Sequence, residues 1–189
     1  DVANLMGRRP ESLNILLVED NLVDARFITG SLKSSAGEFQ WRHVVQLSEA
    51  LVLLKSIRFD IILLDLNLED SLGHETFSRI GSAAPSTAIL VLSASDDEEL
   101  AIRTVREGAQ DYLVKGSFDG RLLLRSIHYA YERKQSEEAL RKSETTVRAI
   151  FENSLDGIII TENNGYCLEA NSAAAALTGL TRDDLLGRC

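Results

Sequence analysis

Phe59-Asp60-Ile61-Ile62-Leu63-Leu64-Asp65-Leu66-Asn67 is the stretch that decides the fold. The aliphatic residues Ile61, Ile62, Leu63 and Leu64 run without a break between two aspartates. A run this short, apolar at every position rather than every second one, marks a strand buried on both faces, the kind found in parallel sheets. Asp65 ends it. In open α/β sheets the carboxyl ends of the central strands are where ligands bind and chemistry occurs. Taken alone, Asp65 reads as readily as a turn or helix cap.

The same grammar repeats on either side. Leu13-Asn14-Ile15-Leu16-Leu17-Val18 is a second apolar run, ending in Glu19-Asp20. Ala88-Ile89-Leu90-Val91-Leu92 is another, ending in Ser93, and Asp111-Tyr112-Leu113-Val114 leads into Lys115. Phe39 to Val45 mixes aromatic, β-branched and polar residues and suits a more exposed strand. Helical spacing fills the intervals. Asn21 to Ser34 carries Leu22, Val23, Phe27, Ile28 and Leu32, and Gly37 breaks it. Ser48 is placed to cap a helix through Ile57, with Leu51, Leu54 and Ile57 on one face. Leu66 to Gly73 reads as a loop and His74 to Ala83 as a short helix. Ser95 with Glu98 forms a capping box, with Asp96, Asp97 and Glu99 loading the same first turn, and that helix ends at Gly108. Asp119 can cap the last helix. Five strands alternating with five helices imply a doubly wound parallel α/β sheet with right-handed crossovers.

Polar residues therefore collect at one sheet edge: Glu19 and Asp20 after the first strand, Asp65 after the third, Ser93 after the fourth and Lys115 after the fifth. Clustered carboxylates repel one another unless a cation neutralises them. Oxygen donors with few other ligands suit Mg²⁺, which keeps waters and then accepts a phosphate oxygen. An aspartate beside Mg²⁺ can attack phosphorus and form an acyl phosphate. Lys115 can neutralise a phosphoryl oxygen and the Ser93 hydroxyl can donate to another. Singly, Lys115 and Glu19 read as solvated surface and Ser93 as a cap. Together, at the ends of four strands, they read as a site.

These residues carry a family resemblance. Leu16-Leu17-Val18-Glu19-Asp20-Asn21, Leu63-Leu64-Asp65-Leu66-Asn67-Leu68, Leu92-Ser93-Ala94 and Gly108-Ala109-Gln110-Asp111-Tyr112-Leu113-Val114-Lys115 make residues 12–134 resemble the receiver domain of a two-component response regulator. The resemblance implies a flavodoxin-like five-stranded sheet of order 2-1-3-4-5. It implies Asp65 as phosphoacceptor, Glu19 and Asp20 as the acidic pair holding Mg²⁺, and the Asn67 backbone carbonyl as a further ligand. Ser93 becomes the switch hydroxyl, Tyr112 the switch aromatic and Lys115 the phosphate-pairing lysine. It also implies a histidine kinase or phosphotransfer protein as partner, and a phosphoacceptor rather than an enzyme, with self-catalysed phosphorylation and dephosphorylation only. Three positions depart from the family pattern. Ser93 stands where Thr is more usual, Glu69 replaces a frequent proline, and Gly116 replaces the proline that often follows the lysine. No reacting group is lost.

Residues 121–153 contain neither proline nor glycine and are rich in Glu, Arg, Lys, Ala and Leu. Leu124, Ile127 and Tyr131 fit one a/d seam, and Leu140, Ser143, Val147 and Ile150 a second, out of phase with the first. A stutter between Lys134 and Glu138 joins them. A parallel two-stranded coiled coil is expected, making the chain a homodimer through residues 121–153 with a helical linker at 135–150. From Phe151 the sequence is similar to the opening of a PAS sensory domain. Phe151 to Ile160 matches the entry helix and first strand, Asn164-Gly165 a tight hairpin turn, and Tyr166 to Asn171 the second strand. Residues 151–189 thus read as an incomplete, α+β PAS fragment, and residues 1–11 as a leader.

The chain has 189 residues and a formal net charge of −9, which argues against a nucleic-acid surface. No apolar run approaches the ~18 residues of a membrane span, and no apolar signal core opens the chain. Cys167 and Cys189 form no metal or disulfide motif and read as free thiols, so a cytoplasmic setting is expected. His43, His74 and His128 are scattered, and no bound cofactor besides Mg²⁺ is expected. An Asp-nucleophile phosphatase would want a second carboxylate two residues after Asp65, where Asn67 stands. A phosphorylation-independent dimerising scaffold would not need the acidic site.

Overall fold

The computed structural model describes residues 12–35, 38–94 and 98–187. The chain divides into two compact units between Ser136 and Glu137. The first contains β1 (Leu13–Val18), α1 (Leu22–Lys33), β2 (Phe39–Val44), α2 (Leu47–Leu54), β3 (Ile61–Asp65), β4 (Asn67–Leu68), β5 (Ser71–Leu72), α3 (His74–Ala83), β6 (Ala88–Ser93), α4 (Glu98–Arg106) and β7 (Asp111–Val114), and opens α5 (Gly120–Asn153). Five strands form one sheet of order β2-β1-β3-β6-β7 with every pair parallel, the flavodoxin-like arrangement.

Period-two geometry sends successive side chains to opposite faces. Ile15, Leu17, Ile61, Leu63, Leu90 and Leu92 join Ala25, Ile28 and Leu32 of α1 and Leu123, Ile127 and Ala130 of α5 on one face. Leu16, Val18, Ile62, Leu64, Ile89 and Val91 join Leu47 and Ala50 of α2 and Phe77 and Ile80 of α3 on the other. The unbroken apolar runs of β3 and β6 are what a strand covered on both sides requires, and all their residues are buried. Each fully buried Leu or Ile contributes about 1.5–3 kcal/mol relative to exposure. β2 lies at the edge and is mostly exposed, in keeping with its mixed composition.

The structure differs from expectation in four places. On α1 the inward stripe is Ala25, Ile28 and Leu32, while Leu22, Val23 and Phe27 are exposed. Leu124, Ile127 and Tyr131, expected in a seam between chains, pack instead against the core under α1 and α5. A helix stripe facing its own sheet has nearly the same spacing as a coiled-coil seam, so spacing alone does not separate the two. The expected loop from Leu66 to Gly73 contains the small antiparallel hairpin of β4 and β5. The capping box of Ser95 and Glu98 falls outside the described residues.

The fourth difference concerns α2. Ser48 does not cap it, and Gln46 at its N-cap makes no side-chain bond to the helix. Asp70, in the turn of the β4–β5 hairpin, accepts from the backbone N–H of Leu47 at 2.8 Å and of Ser48 at 2.9 Å. One carboxylate thus satisfies two orphan donors and faces the positive end of the helix dipole. Burial works against ionisation of Asp70, but the N–H groups of Ser48 and Leu47 outweigh it and hold the carboxyl below its usual range. Asp70→Ala is expected to lower stability by about 1 kcal/mol in urea unfolding at neutral pH. A depressed carboxyl contributes stability above its unfolded pKa of about 3.9 and loses it as pH falls through the folded value. The gap between wild type and variant should therefore close on acidification, and a gap that persists unchanged below pH ~2 would contradict the cap.

In the second unit, β8 (Ile159–Thr161) and β9 (Cys167–Ala170) pair antiparallel around Asn164-Gly165, followed by α6 (Ser172–Thr178) and α7 (Arg182–Leu185). Asn171 ties this unit together. Its Oδ1 accepts from Ile158 and Ala174 N–H, and its Nδ2 donates to the Phe151 and Asp156 carbonyls, all at 2.9 Å. Gly157 is required by close approach, since a Cβ there would meet Leu177 Cδ1 at 2.9 Å and Ala174 Cα at 3.0 Å. Among the described residues, no helix is long and apolar enough to cross a membrane.

Candidate functional site

Strand register decides which side chains meet. β1 leads through α1 to β2 on one side, and β3 leads through α3 to β6 on the other, so a crevice opens between the ends of β1 and β3. Val18 lies opposite Leu64, which brings Glu19 level with Asp65. Asp65 lies opposite Leu92, so Ser93 is one step further along β6. Ser93 in turn lies opposite Val114, and Lys115 follows, its backbone N–H donating to the Ser93 carbonyl at 2.7 Å.

Lys115 draws the edge together. Its Nζ is 2.5 Å from Asp65 Oδ2, 2.8 Å from Glu19 Oε1 and 3.1 Å from Asp24 Oδ2. Asp65 Oδ1 accepts from the Asn67 backbone N–H at 2.9 Å, which fixes the carboxylate plane. Glu19 is fully buried; its Oε1 also accepts from Asn21 N–H at 3.2 Å, and its backbone carbonyl meets His43 Nε2 at 2.7 Å. Burial pushes the Glu19 carboxyl up to about 7, with the charge of Asp65 adding and the Lys115 bond opposing. Burial alone would lower the Lys115 pKa, but hydrogen bonds and charge from Asp65 and Glu19 prevail and raise it above the usual lysine range.

Glu19, Asp20 and Asp65 each offer an oxygen, and these lie within 4.8 Å of one another. Glu19 Oε2 is buried as well, and its near neighbour is the Lys115 ammonium, with Nζ 2.7 Å away. Three converging hard oxygen donors, with more negative charge than the one lysine neutralises, fit a divalent cation such as Mg²⁺.

Of the other expected residues, Ser93 is fully buried at the end of β6, and Asn67 is exposed at the start of β4. Tyr112 is half-buried on β7 and packs against the core on the α2–α3 face. At Gly116 the peptide is trans and φ is +83°, a backbone conformation proline cannot take.

Residues 15–127 match the family model of the response regulator receiver domain. The chain belongs to that family. After the receiver, residues 145–188 match the PAS fold. The receiver is similar to curated proteins of two kinds. The sensor histidine kinase TmoS of Ectopseudomonas mendocina is 30% identical over 97% of this chain and 22% of that protein. The cell cycle transcriptional regulator CtrA of Caulobacter vibrioides is 28% identical over 88% of this chain and 66% of that protein. The chain thus spans about a fifth of the first and about two thirds of the second. Among solved structures, the signal receiver domain of an HD domain-containing protein from Pseudomonas fluorescens Pf-5 superposes with TM-score 0.62 at 25% identity, over 71% of this chain and 98% of that one. A CheY-like receiver domain from Methanospirillum hungatei JF-1 gives TM-score 0.60 at 20% identity, over 67% and 98% respectively, and bears on the fold alone.

Sequence reasoning missed two contributors to this receiver's site. Asp24 reaches Lys115 from the first turn of α1, and its signal was a carboxylate in the helical turn that directly follows Glu19-Asp20. Thr76 Oγ1 donates to the Leu66 carbonyl at 2.8 Å and bonds Ser71 Oγ at 2.9 Å, pinning the segment after Asp65 to α3. Nothing in the local sequence distinguishes Thr76 from any other helix threonine.

Proposed function

We propose that this receiver accepts a phosphoryl group on Asp65, from the phosphohistidine of a histidine kinase or phosphotransfer protein, and thereby switches the C-terminal PAS region and whatever output it serves. The observation that carries the reading is the bridge from Lys115 Nζ to both Asp65 and Glu19 at the β1–β3 crevice. An Asp65 carboxylate oxygen attacks phosphorus. The new P–O bond forms as the P–N bond to the donor imidazole breaks, and the electron pair leaves with the imidazole. Mg²⁺ held by Glu19, Asp20, Asp65 and the Asn67 carbonyl would neutralise charge on the transferring group. Once Asp65 is phosphorylated, the negative charge lies on the phosphoryl oxygens, and Lys115 exchanges its carboxylate contact for one of them. The Ser93 hydroxyl donates to a second oxygen, Tyr112 follows it inward, and the population shifts toward the active state. Water later hydrolyses the acyl phosphate.

Leu22, Val23 and Phe27 are exposed on α1 directly after Glu19-Asp20-Asn21, an apolar surface next to the acceptor for the donor protein. The sensor histidine kinase TmoS is similar over nearly all of this chain, in keeping with a place in two-component signalling. We place the protein in the cytoplasm. We also infer a homodimer, with the seam narrowed to Leu140, Val147 and Ile150, all exposed on α5.

Metal removal tests the chemistry. Labelling with acetyl phosphate should stop in excess EDTA and return with Mg²⁺. Asp20→Ala should raise the Mg²⁺ concentration for half-maximal labelling more than Glu19→Ala, which should itself cost on the order of tenfold. Glu19 is buried and partnered by Lys115, whereas Asp20 is half-exposed. Equal or reversed effects would remove this ranking, and labelling that persists in EDTA would remove the metal.

A further inference from the structure

An ammonium group has three N–H donors. Here the contacts of Lys115 Nζ go to carboxylates from three elements: Asp65 at the end of β3, Glu19 after β1 and Asp24 on α1. The three partners have different fates when a phosphoryl group arrives. Asp65 is phosphorylated, and its negative charge passes to the phosphoryl oxygens of the acyl phosphate. Glu19 belongs to the group whose oxygens lie within 4.8 Å of one another, with Asp20 and Asp65. Asp24 is outside that group, does not react, and keeps its charge throughout. Its side chain is 33% exposed, against 10% for Lys115, so it stands at the mouth of the crevice above a largely buried ammonium. The first turn of α1 favours a carboxylate at this position, and Asn21 caps the same turn by accepting from Val23 at 2.9 Å, so Asp24 is held in place.

We infer that Asp24 is a positioning residue that acts through Lys115: it holds the ammonium toward the rim in the unphosphorylated receiver and competes with the incoming phosphoryl oxygen for it. Its charge also opposes entry of an anionic donor. The inference rests on the assignment of Asp65 as acceptor. Neutralising Asp24 frees Lys115 for the phosphoryl group and so favours the donor-bound state without altering the attacking carboxylate.

The test uses the full chain at saturating Mg²⁺, titrated with acetyl phosphate, in wild type, Asp24→Asn, Asp24→Ser and Asp65→Asn. Circular dichroism verifies the fold of each, and the serine variant, itself a good residue for a first helical turn, serves if the asparagine variant fails to fold. The half-saturating donor concentration should fall about two- to fivefold on neutralising Asp24, the range for a partly exposed ion pair, while the maximal rate changes less than about twofold. A purely structural role would lower the maximal rate instead. An unchanged or higher half-saturating concentration, or a loss confined to the maximal rate, would overturn the inference while leaving Asp65 as acceptor. Undiminished labelling of Asp65→Asn would instead overturn the acceptor assignment itself.

Discussion

Replacing Asp65 with Asn is expected to abolish labelling by acetyl phosphate, a loss on the order of a thousandfold or more. The amide has the shape of the carboxylate but no anionic oxygen to attack phosphorus. Its one oxygen can accept from Asn67 N–H or from Lys115 but not from both, so one of the two hydrogen bonds is lost while the side-chain shape is kept. The variant should fold, with its thermal midpoint close to wild type, which separates loss of chemistry from loss of structure. Phosphate-affinity electrophoresis gives the readout. Labelling of the folded variant at the wild-type rate would place the acceptor elsewhere.

The second large effect is expected in assembly. Val147 and Ile150 are 64% and 67% exposed on α5, and Leu140 is 61% exposed. Burying a Val or Ile side chain contributes about 1.5–3 kcal/mol, and each occurs twice in a symmetric pair of helices. Val147→Asp with Ile150→Asp removes that burial and sets like charges against each other, which amounts to several factors of ten in the dissociation constant. Light scattering at micromolar concentration should show wild-type dimers and a monomeric double variant. A wild type that is monomeric under these conditions, or a double variant that stays dimeric, would refute the α5 seam. The upstream residues Ile127 and Tyr131 cannot substitute, because they already pack against the receiver core.

The strands were legible because burial on both faces leaves an unmistakable record: Ile61 to Leu64 and Ala88 to Leu92 are apolar at every position. Once the strands were placed, the parallel order put Glu19, Asp20, Asp65 and Lys115 at one edge, and the structure brings those four together there. Interactions between elements distant in sequence were not legible. Asp70 caps α2 across 22 residues, and no local pattern links it to Ser48. Asp24 meets Lys115 only because α1 and β7 flank the same crevice. The stripe at Leu124, Ile127 and Tyr131 was visible, but spacing alone does not say whether a helix faces a sheet or another helix.

Chemical trapping of the phosphorylated residue tests the central assignment most directly. Borohydride reduces an acyl phosphate on aspartate to homoserine, so protein treated with acetyl phosphate and Mg²⁺, then with borohydride, can be digested and read by tandem mass spectrometry. Homoserine is expected at position 65, only in the phosphorylated sample, and absent when EDTA replaces Mg²⁺. Homoserine at Asp20, Asp24 or any other aspartate, with position 65 unmodified, would contradict it.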